Sequence, residues 1–147
     1  MMTSKLSLIF RKVDCRQSPP CLAGELRIDG LRLGERYVLD VGKLLQALDK
    51  SGEYFIFTCG CGVPDCADIT EGVKSVVLGD QLKLVGSLPK GGDFSYVLSV
   101  TQSHKAVIEA LLSEKALLDG ASEWEEGDFP VFGLTNYSYR ALLKSVT

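Results

Sequence analysis

Two short turn sequences, Asp29-Gly30 and Gly79-Asp80, constrain the fold of this chain more than any other feature. Each separates two short apolar segments with strand-like composition. A two-residue connection of this kind favours a tight hairpin, because Asp and Gly tolerate the positive φ angles that such a turn requires. Hairpins join neighbouring antiparallel strands, so the sequence predicts a sheet in which antiparallel pairing dominates.

Helical periodicity interrupts the strand-like segments. Asp40 is the expected N-cap of a first helix, and Gly52 its expected end. A second helix is predicted from Ser103, as its cap, to about Leu118, and a short last helix has Asn136 as its expected cap. The apolar residues at helical spacing in the first helix are Val41, Leu44, Leu45 and Leu48.

Between the first two helices, the uninterrupted apolar run of residues 54–58 predicts a central strand that is buried on both faces. The order of elements predicts an α+β fold, a mainly antiparallel sheet of about six strands with two main helices packed on one side and a short C-terminal helix. The chain has 147 residues, of which 46% are hydrophobic. A single globular domain over residues 1–147 is therefore expected.

The N-terminal sequence predicts a cytoplasmic protein without a membrane partner. Its apolar stretch, residues 6–10, is shorter than the core of a signal peptide and far shorter than a membrane helix. The chain has five cysteines, an odd number. A framework of disulfides would normally pair every cysteine, so we expect these residues to be mostly thiols.

Three of the five thiols, Cys59, Cys61 and Cys66, lie in a short glycine-rich segment directly after the predicted central strand. Closely spaced thiolates are typical ligands of a soft metal such as zinc, but a structural zinc site needs four ligands. Candidates for the fourth ligand are His104, Cys15, Cys21 and Asp65. Cys59 and Cys61 are also a possible redox dithiol, and a glycine-rich turn with buried thiols that bind nothing explains the pattern as well. We expect no cofactor, with zinc as the alternative.

The same segment carries a resemblance to a known group of proteins. Its residues Phe57-Thr58-Cys59-Gly60-Cys61-Gly62-Val63-Pro64-Asp65-Cys66-Ala67-Asp68-Ile69 resemble the motif F-T-C-x-C-G-x-x-x-C-A-x-I of small, mostly uncharacterised bacterial cytoplasmic proteins. Some of those proteins resemble immunity partners of toxins used in competition between bacteria. The resemblance therefore implies that this chain binds a protein toxin, and it implies no catalytic residue.

The composition restricts the chemistry that the chain can perform. A Ser-His-Asp or Cys-His site needs a histidine as its base, and His104 is the single histidine of the chain. We interpret it as a partly buried residue at the start of the second helix. The formal net charge of −3 does not favour direct binding of nucleic acid. The sequence thus favours a protein that is not an enzyme.

Charge is distributed unevenly along the chain. Residues 1–36 carry seven cations and four anions, a net charge of +3, whereas residues 109–128 carry seven anions and one cation, a net charge of −6. The single tryptophan lies within the acidic part. A tryptophan can anchor an interface by the area that it buries, and surrounding charges attract an oppositely charged partner. The predicted partner-binding residues are Glu123, Trp124, Glu125, Glu126 and Asp128.

These observations predict a non-enzymatic protein that binds and neutralises a cognate toxin with a basic surface. Two alternatives remain, a zinc-binding protein that uses Cys59, Cys61 and Cys66, and a thiol redox enzyme. A solvated acidic loop, with Trp124 folded onto the core, explains the acidic part equally well.

Overall fold

The computed structural model describes residues 3–13, 21–59, 68–120 and 129–145. Within these ranges the chain forms nine strands and four helices. In chain order they are β1 (Leu6–Val13), β2 (Cys21–Ile28), β3 (Leu31–Leu33), β4 (Val38–Leu39), α1 (Val41–Asp49), β5 (Gly52–Tyr54), β6 (Phe57–Thr58), β7 (Val73–Leu78), β8 (Gln81–Leu88), β9 (Gly92–Ser99), α2 (Val100–Leu112), α3 (Lys115–Gly120) and α4 (Asn136–Lys144).

The strands form three small sheets, with the orders β1-β2-β3, β4-β6 and β5-β7-β8-β9. Every pair of named strands in the described residues is antiparallel. The α+β class with antiparallel pairing is thus confirmed. The expectation of one sheet of about six strands is wrong, because the strands divide among three sheets.

The division is clearest at residues 54–58, which do not form one central strand. Tyr54 ends β5 in the four-stranded sheet, whereas Phe57 begins β6 in the two-stranded sheet. Between them, the carbonyl oxygen of Ile56 accepts a hydrogen bond of 2.8 Å from the backbone N–H of Asp40. Ile56 and Phe57 are both buried, so hydrophobicity alone does not reveal where the chain leaves one sheet and enters another.

Ser4 joins the N-terminal chain to the four-stranded sheet through the backbone. The N–H of Ser4 donates a hydrogen bond of 2.7 Å to the carbonyl oxygen of Val97 in β9. After this contact the chain enters β1, which pairs with β2 along its whole length. The three-stranded and four-stranded sheets therefore meet at Ser4 and do not continue into each other.

Both predicted hairpins are present. Asp29 and Gly30 connect β2 to β3 with φ angles of 53° and 82°, the positive values that this turn requires. Gly79 has a φ of 60° in the connection between β7 and β8. The register of these hairpins decides which side chains share a face of each sheet.

The start of α1 agrees with the sequence, and its end does not. A side-chain oxygen of Asp40 accepts a hydrogen bond of 2.9 Å from the N–H of Lys43, as an N-cap does. The helix ends at Asp49, with Lys50 as its C-cap, so that Gly52 lies in β5.

The second helix begins earlier than expected. Its N-cap is Ser99, whose hydroxyl accepts a hydrogen bond of 3.1 Å from the N–H of Gln102, and Ser103 is a buried residue of the first turns. The predicted helix that ran to about Leu118 is divided into α2 and α3. The N-cap of α4 is Thr135, one residue before the expected Asn136.

The two main helices contact each other, and both contact the four-stranded sheet. α1 packs on β5 and β7 of the four-stranded sheet, whereas α2 packs on β1 and on β9, which belong to different sheets. Among the described residues, none of the helices has the length and apolar character needed to cross a bilayer. The largest fully buried side chains include Tyr139, Phe57, Leu6, Leu26, Leu44, Leu82 and Leu111.

Candidate functional site

The predicted partner-binding residues Glu123, Trp124, Glu125, Glu126 and Asp128 all lie outside the described residues. We refer to residues 121–128 as the acidic segment. The structure does describe the chain on both sides of it: α3 ends immediately before the segment and Phe129 follows it. The geometry of these two flanks is therefore what the structure contributes to this site.

Both flanks of the acidic segment contact the same residue, Tyr139 of α4. The hydroxyl of Tyr139 donates a hydrogen bond of 3.2 Å to Oδ1 of Asp119, near the end of α3. The ring of Phe129 packs against the ring of Tyr139, with 5.4 Å between the centroids. Tyr139 is itself fully buried. The chain thus enters and leaves the acidic segment at one rigid side chain.

Charged neighbours also hold Asp119, in the flank that precedes the acidic segment. Nη1 of Arg140 lies 3.3 Å from Oδ1 of Asp119, and Lys115 forms an ion pair with Oδ2 of the same carboxylate. The hydrogen bond from Lys115 is the largest effect that lowers the pKa of Asp119, so its carboxylate stays charged. Burial, together with the charge of Asp119, raises the pKa of Tyr139 to about 12.

Backbone contacts hold the flank that follows the acidic segment, which begins at Phe129. The carbonyl oxygen of Pro130 accepts a hydrogen bond of 2.8 Å from the N–H of Leu22 in β2, and that of Phe132 accepts one of 3.1 Å from the N–H of Val41 in α1. Four residues beyond Val131, the hydroxyl of Thr135 begins α4 with a capping box. Residues 129–135 are thereby attached to a sheet and to two helices.

The cysteine segment is described only at its first residue. Cys59 follows β6 and is half-buried, and its carbonyl oxygen accepts a hydrogen bond of 2.9 Å from the hydroxyl of Thr58. Cys61 and Cys66 lie outside the described residues, as do Cys15, Asp65 and the side chain of Cys21.

His104 lies on α2, half-buried, as the sequence suggested. The residues that the structure describes include no group of three or more potential metal ligands. That finding does not test the predicted zinc site, because two of its three thiols are not among those residues. Zinc binding by Cys59, Cys61 and Cys66 stays a prediction.

A cluster of charges on the three-stranded sheet is not among the sites that the sequence predicts. Its centre is Glu25 of β2, whose side chain is only 2% exposed. Oε2 of Glu25 lies 2.8 Å from Nε and 2.7 Å from Nη2 of Arg27. Oε1 lies 3.2 Å from Nε of Arg11 in β1 and 3.1 Å from Nη1 of Arg32 in β3. The hydrogen bond from Arg27 is the main reason why the pKa of Glu25 lies below its ordinary value of 4.5.

A signal for this cluster is present in the sequence. The two-residue turn at Asp29-Gly30 sets the register of its hairpin, in which Arg27 pairs with Arg32. Glu25, two residues before Arg27, must then point to the same face. The net positive charge of residues 1–36 was apparent, but its concentration on one face of a sheet follows only from this register.

Comparison of the chain with protein-family models, with curated proteins and with solved structures finds no match.

Proposed function

We propose that this chain is a non-enzymatic bacterial immunity protein that binds and neutralises a cognate protein toxin in the cytoplasm. The acidic segment is its contact with a basic surface of the toxin, and Trp124 is the anchor of that contact. The observation that carries the proposal is the attachment of both flanks of the segment to Tyr139.

The fixed positions of the two flanking residues favour binding by the acidic segment. Ordering a free chain on binding costs conformational free energy, and holding the two ends in advance reduces that cost. Asp119 and Phe129 contact one buried side chain, so the distance between the two ends is set before a partner arrives.

Charge supports the same partner chemistry. The acidic segment is part of the range 109–128, whose net charge is −6. A field of this sign accelerates association with a basic protein, such as a toxin whose active site binds phosphate groups of nucleic acid. The resemblance of residues 57–69 to proteins of the immunity type points to the same class of partner.

A growth assay tests the proposal. The genes beside the gene for this chain would each be expressed in a laboratory bacterium, alone and together with this chain. We expect one neighbouring product to arrest growth when it is expressed alone, and we expect this chain to restore growth. Co-purification of the two proteins should accompany the rescue.

The Trp124→Ala variant provides the specific control. It should be produced at the same level as the wild type and should rescue growth poorly. If no neighbouring product is toxic, or if the toxic product is not neutralised by this chain, the proposal is wrong.

A further inference from the structure

The outer face of the three-stranded sheet carries a charged surface with an excess of arginine side chains. Side chains alternate between the two faces of a strand. Leu8 and Phe10 of β1 and Leu26 of β2 are buried on the inner face, so the residues that alternate with them along each strand lie on the outer face. We call this surface the arginine face; it consists of Ile9, Arg11, Glu25, Arg27 and Arg32.

The arginine face has an excess of positive charge. Three guanidinium groups surround one carboxylate, which leaves a net charge of +2. Arg27 uses three of its nitrogens, two toward Glu25 and Nη1 toward the carbonyl oxygen of Gly30 at 3.3 Å. The guanidinium group of Arg27 is therefore bound mainly to groups of this chain.

Arg11 and Arg32 are held differently. Each lies at ion-pair distance from Oε1 of Glu25, yet this buried oxygen has no hydrogen-bond partner in the structure. Within the described part of the chain, the guanidinium group of neither arginine donates a hydrogen bond to any residue. Their side chains are 65% and 36% exposed. Both guanidinium groups thus keep their donors for an external acceptor while the charge of Glu25 fixes their position.

The composition of this face indicates the kind of acceptor. Ile9 pairs with Glu25 in the register of β1 and β2, and it is 48% exposed. Arginines beside an exposed apolar side chain are typical of protein interfaces.

We propose that the arginine face docks an acidic segment of a protein partner, with Arg11 and Arg32 binding its carboxylates. Ile9 supplies an apolar contact at the centre, and Glu25 is a positioning residue that binds no ligand. This inference goes beyond the proposed function, because it concerns a different set of residues and a partner surface of the opposite charge.

Binding of a fluorescent poly-L-glutamate peptide to the purified full chain tests the proposal. Fluorescence anisotropy measures the affinity for the wild type and for the variants Arg11→Ala and Arg32→Ala. We expect each variant to bind about tenfold more weakly, as for the loss of a charge-assisted hydrogen bond. The matched controls Lys74→Ala and Lys83→Ala remove one charge from the exposed face of the other large sheet. They should stay within about twofold of the wild type, because salt screens distant charges.

The Glu25→Gln variant separates a positioned site from general attraction between charges. It makes the arginine face more positive by one charge, so a diffuse attraction predicts tighter binding of the peptide. Loss of the carboxylate that holds Arg11 and Arg32 predicts weaker binding, which is the result we expect. Tighter binding would overturn the proposal.

Two further outcomes decide the proposal. If Glu25→Gln does not fold, as judged by circular dichroism, the proposal is decided by comparing the affinities of the arginine variants with those of the lysine controls. Equal losses in both groups would show diffuse attraction and would contradict the proposal. Single-stranded DNA with the same number of charges provides the other comparison. If it binds more tightly than the peptide, and if Arg11→Ala loses that binding, the arginine face binds nucleic acid instead. Failure of this test leaves the growth assay for the acidic segment unaffected.

Discussion

The hydroxyl of Tyr139 donates its hydrogen bond to Oδ1 of Asp119 across a distance of 3.2 Å, and it thereby connects α4 to the end of α3. The two residues are 20 positions apart in the sequence. It closes the first flank of the acidic segment, while the tyrosine ring holds the second flank through Phe129. One residue therefore contributes to both flanks by two separate chemical groups.

Replacing Tyr139 by Phe separates these two groups, because the ring remains and the hydroxyl is lost. We expect the free energy of unfolding to fall by about 1 kcal/mol, the usual net value of one hydrogen bond. Urea denaturation measures this change. Tyr137→Phe is the matched control on the same helix, where the side chain is 76% exposed, and it should leave the midpoint unchanged. Equal midpoints for both variants would show that the hydrogen bond contributes nothing.

The contact between Gly133 and Asp40 predicts a second effect on stability. Gly133 has a φ of 87°, and a Cβ atom there would collide with Oδ1 of Asp40. That oxygen caps α1 by accepting from Lys43. Gly133→Ala should therefore cost the strain of a positive φ together with about 1–3 kcal/mol from the collision.

Gly92→Ala is the control for the strain alone. Gly92 has a φ of 77°, but a Cβ atom there would meet nothing within 4 Å. We expect this variant to lose about 1–2 kcal/mol, the cost of the left-handed conformation for an L-residue. Thermal and urea unfolding of the two variants would be compared. A loss in Gly92→Ala as large as that in Gly133→Ala would show that the collision is relieved at no cost.

The sequence predicted the local features of the fold and missed the relations between them. The hairpin at Asp29-Gly30 and the cap at Asp40 follow from residues within a few positions of each other, and both are confirmed. The helix α2 begins at Val100, earlier than the sequence predicts. The N–H of its first residue, Val100, donates to the carbonyl oxygen of Asp80 at 2.7 Å, a contact between distant parts of the chain. Such a contact leaves no periodic signal in the sequence.

The candidate sites show the same limit. The sequence identified the acidic segment by its composition, but the attachment of its flanks to Tyr139 depends on tertiary packing. It did not identify the arginine face, because Glu25 reaches Arg11 in one neighbouring strand and Arg32 in the other. The proximity of those three residues can be predicted only when the register of both strand pairs is known.

The lowered pKa of Glu25 predicts a dependence of stability on pH. A carboxylate with a lowered pKa in the folded state stabilises that state above its unfolded pKa, here about 4.5. The contribution is lost as the pH falls through the lower pKa of the folded state. Wild type and Glu25→Gln should therefore differ in unfolding free energy at neutral pH, and the difference should shrink below about pH 4.5. Urea denaturation at several pH values measures it. A constant difference would show that the charge of Glu25 does not contribute.

The cysteine segment leads to a prediction about metal content. The sequence offers three closely spaced thiols, and a structural zinc site needs four ligands. We expect freshly purified protein to contain less than one zinc per chain, as measured by elemental analysis. One tightly bound zinc that is lost in Cys61→Ser would contradict this expectation, and His104→Ala would then test the candidate fourth ligand.

The last prediction concerns Trp124 in the complex with the toxin. The large aromatic side chain, surrounded by carboxylates in the sequence, is expected to bury its area against the partner. Trp124→Ala should therefore weaken binding by at least ~2 kcal/mol, as loss of an interface anchor does. Reversal of the charges at Glu125 and Glu126 should mainly slow association, and added salt should slow the wild type in the same way.

Calorimetry and stopped-flow kinetics with the purified toxin measure these two effects on binding. Tyr137→Ala removes another exposed aromatic side chain, outside the acidic segment, and serves as the control that should keep the wild-type affinity. Wild-type affinity in Trp124→Ala would place the interface elsewhere. Loss of the fold in Trp124→Ala, seen as a collapse of its thermal transition, would instead mean that Trp124 packs in the core. In that case, too, the interface with the basic partner lies elsewhere.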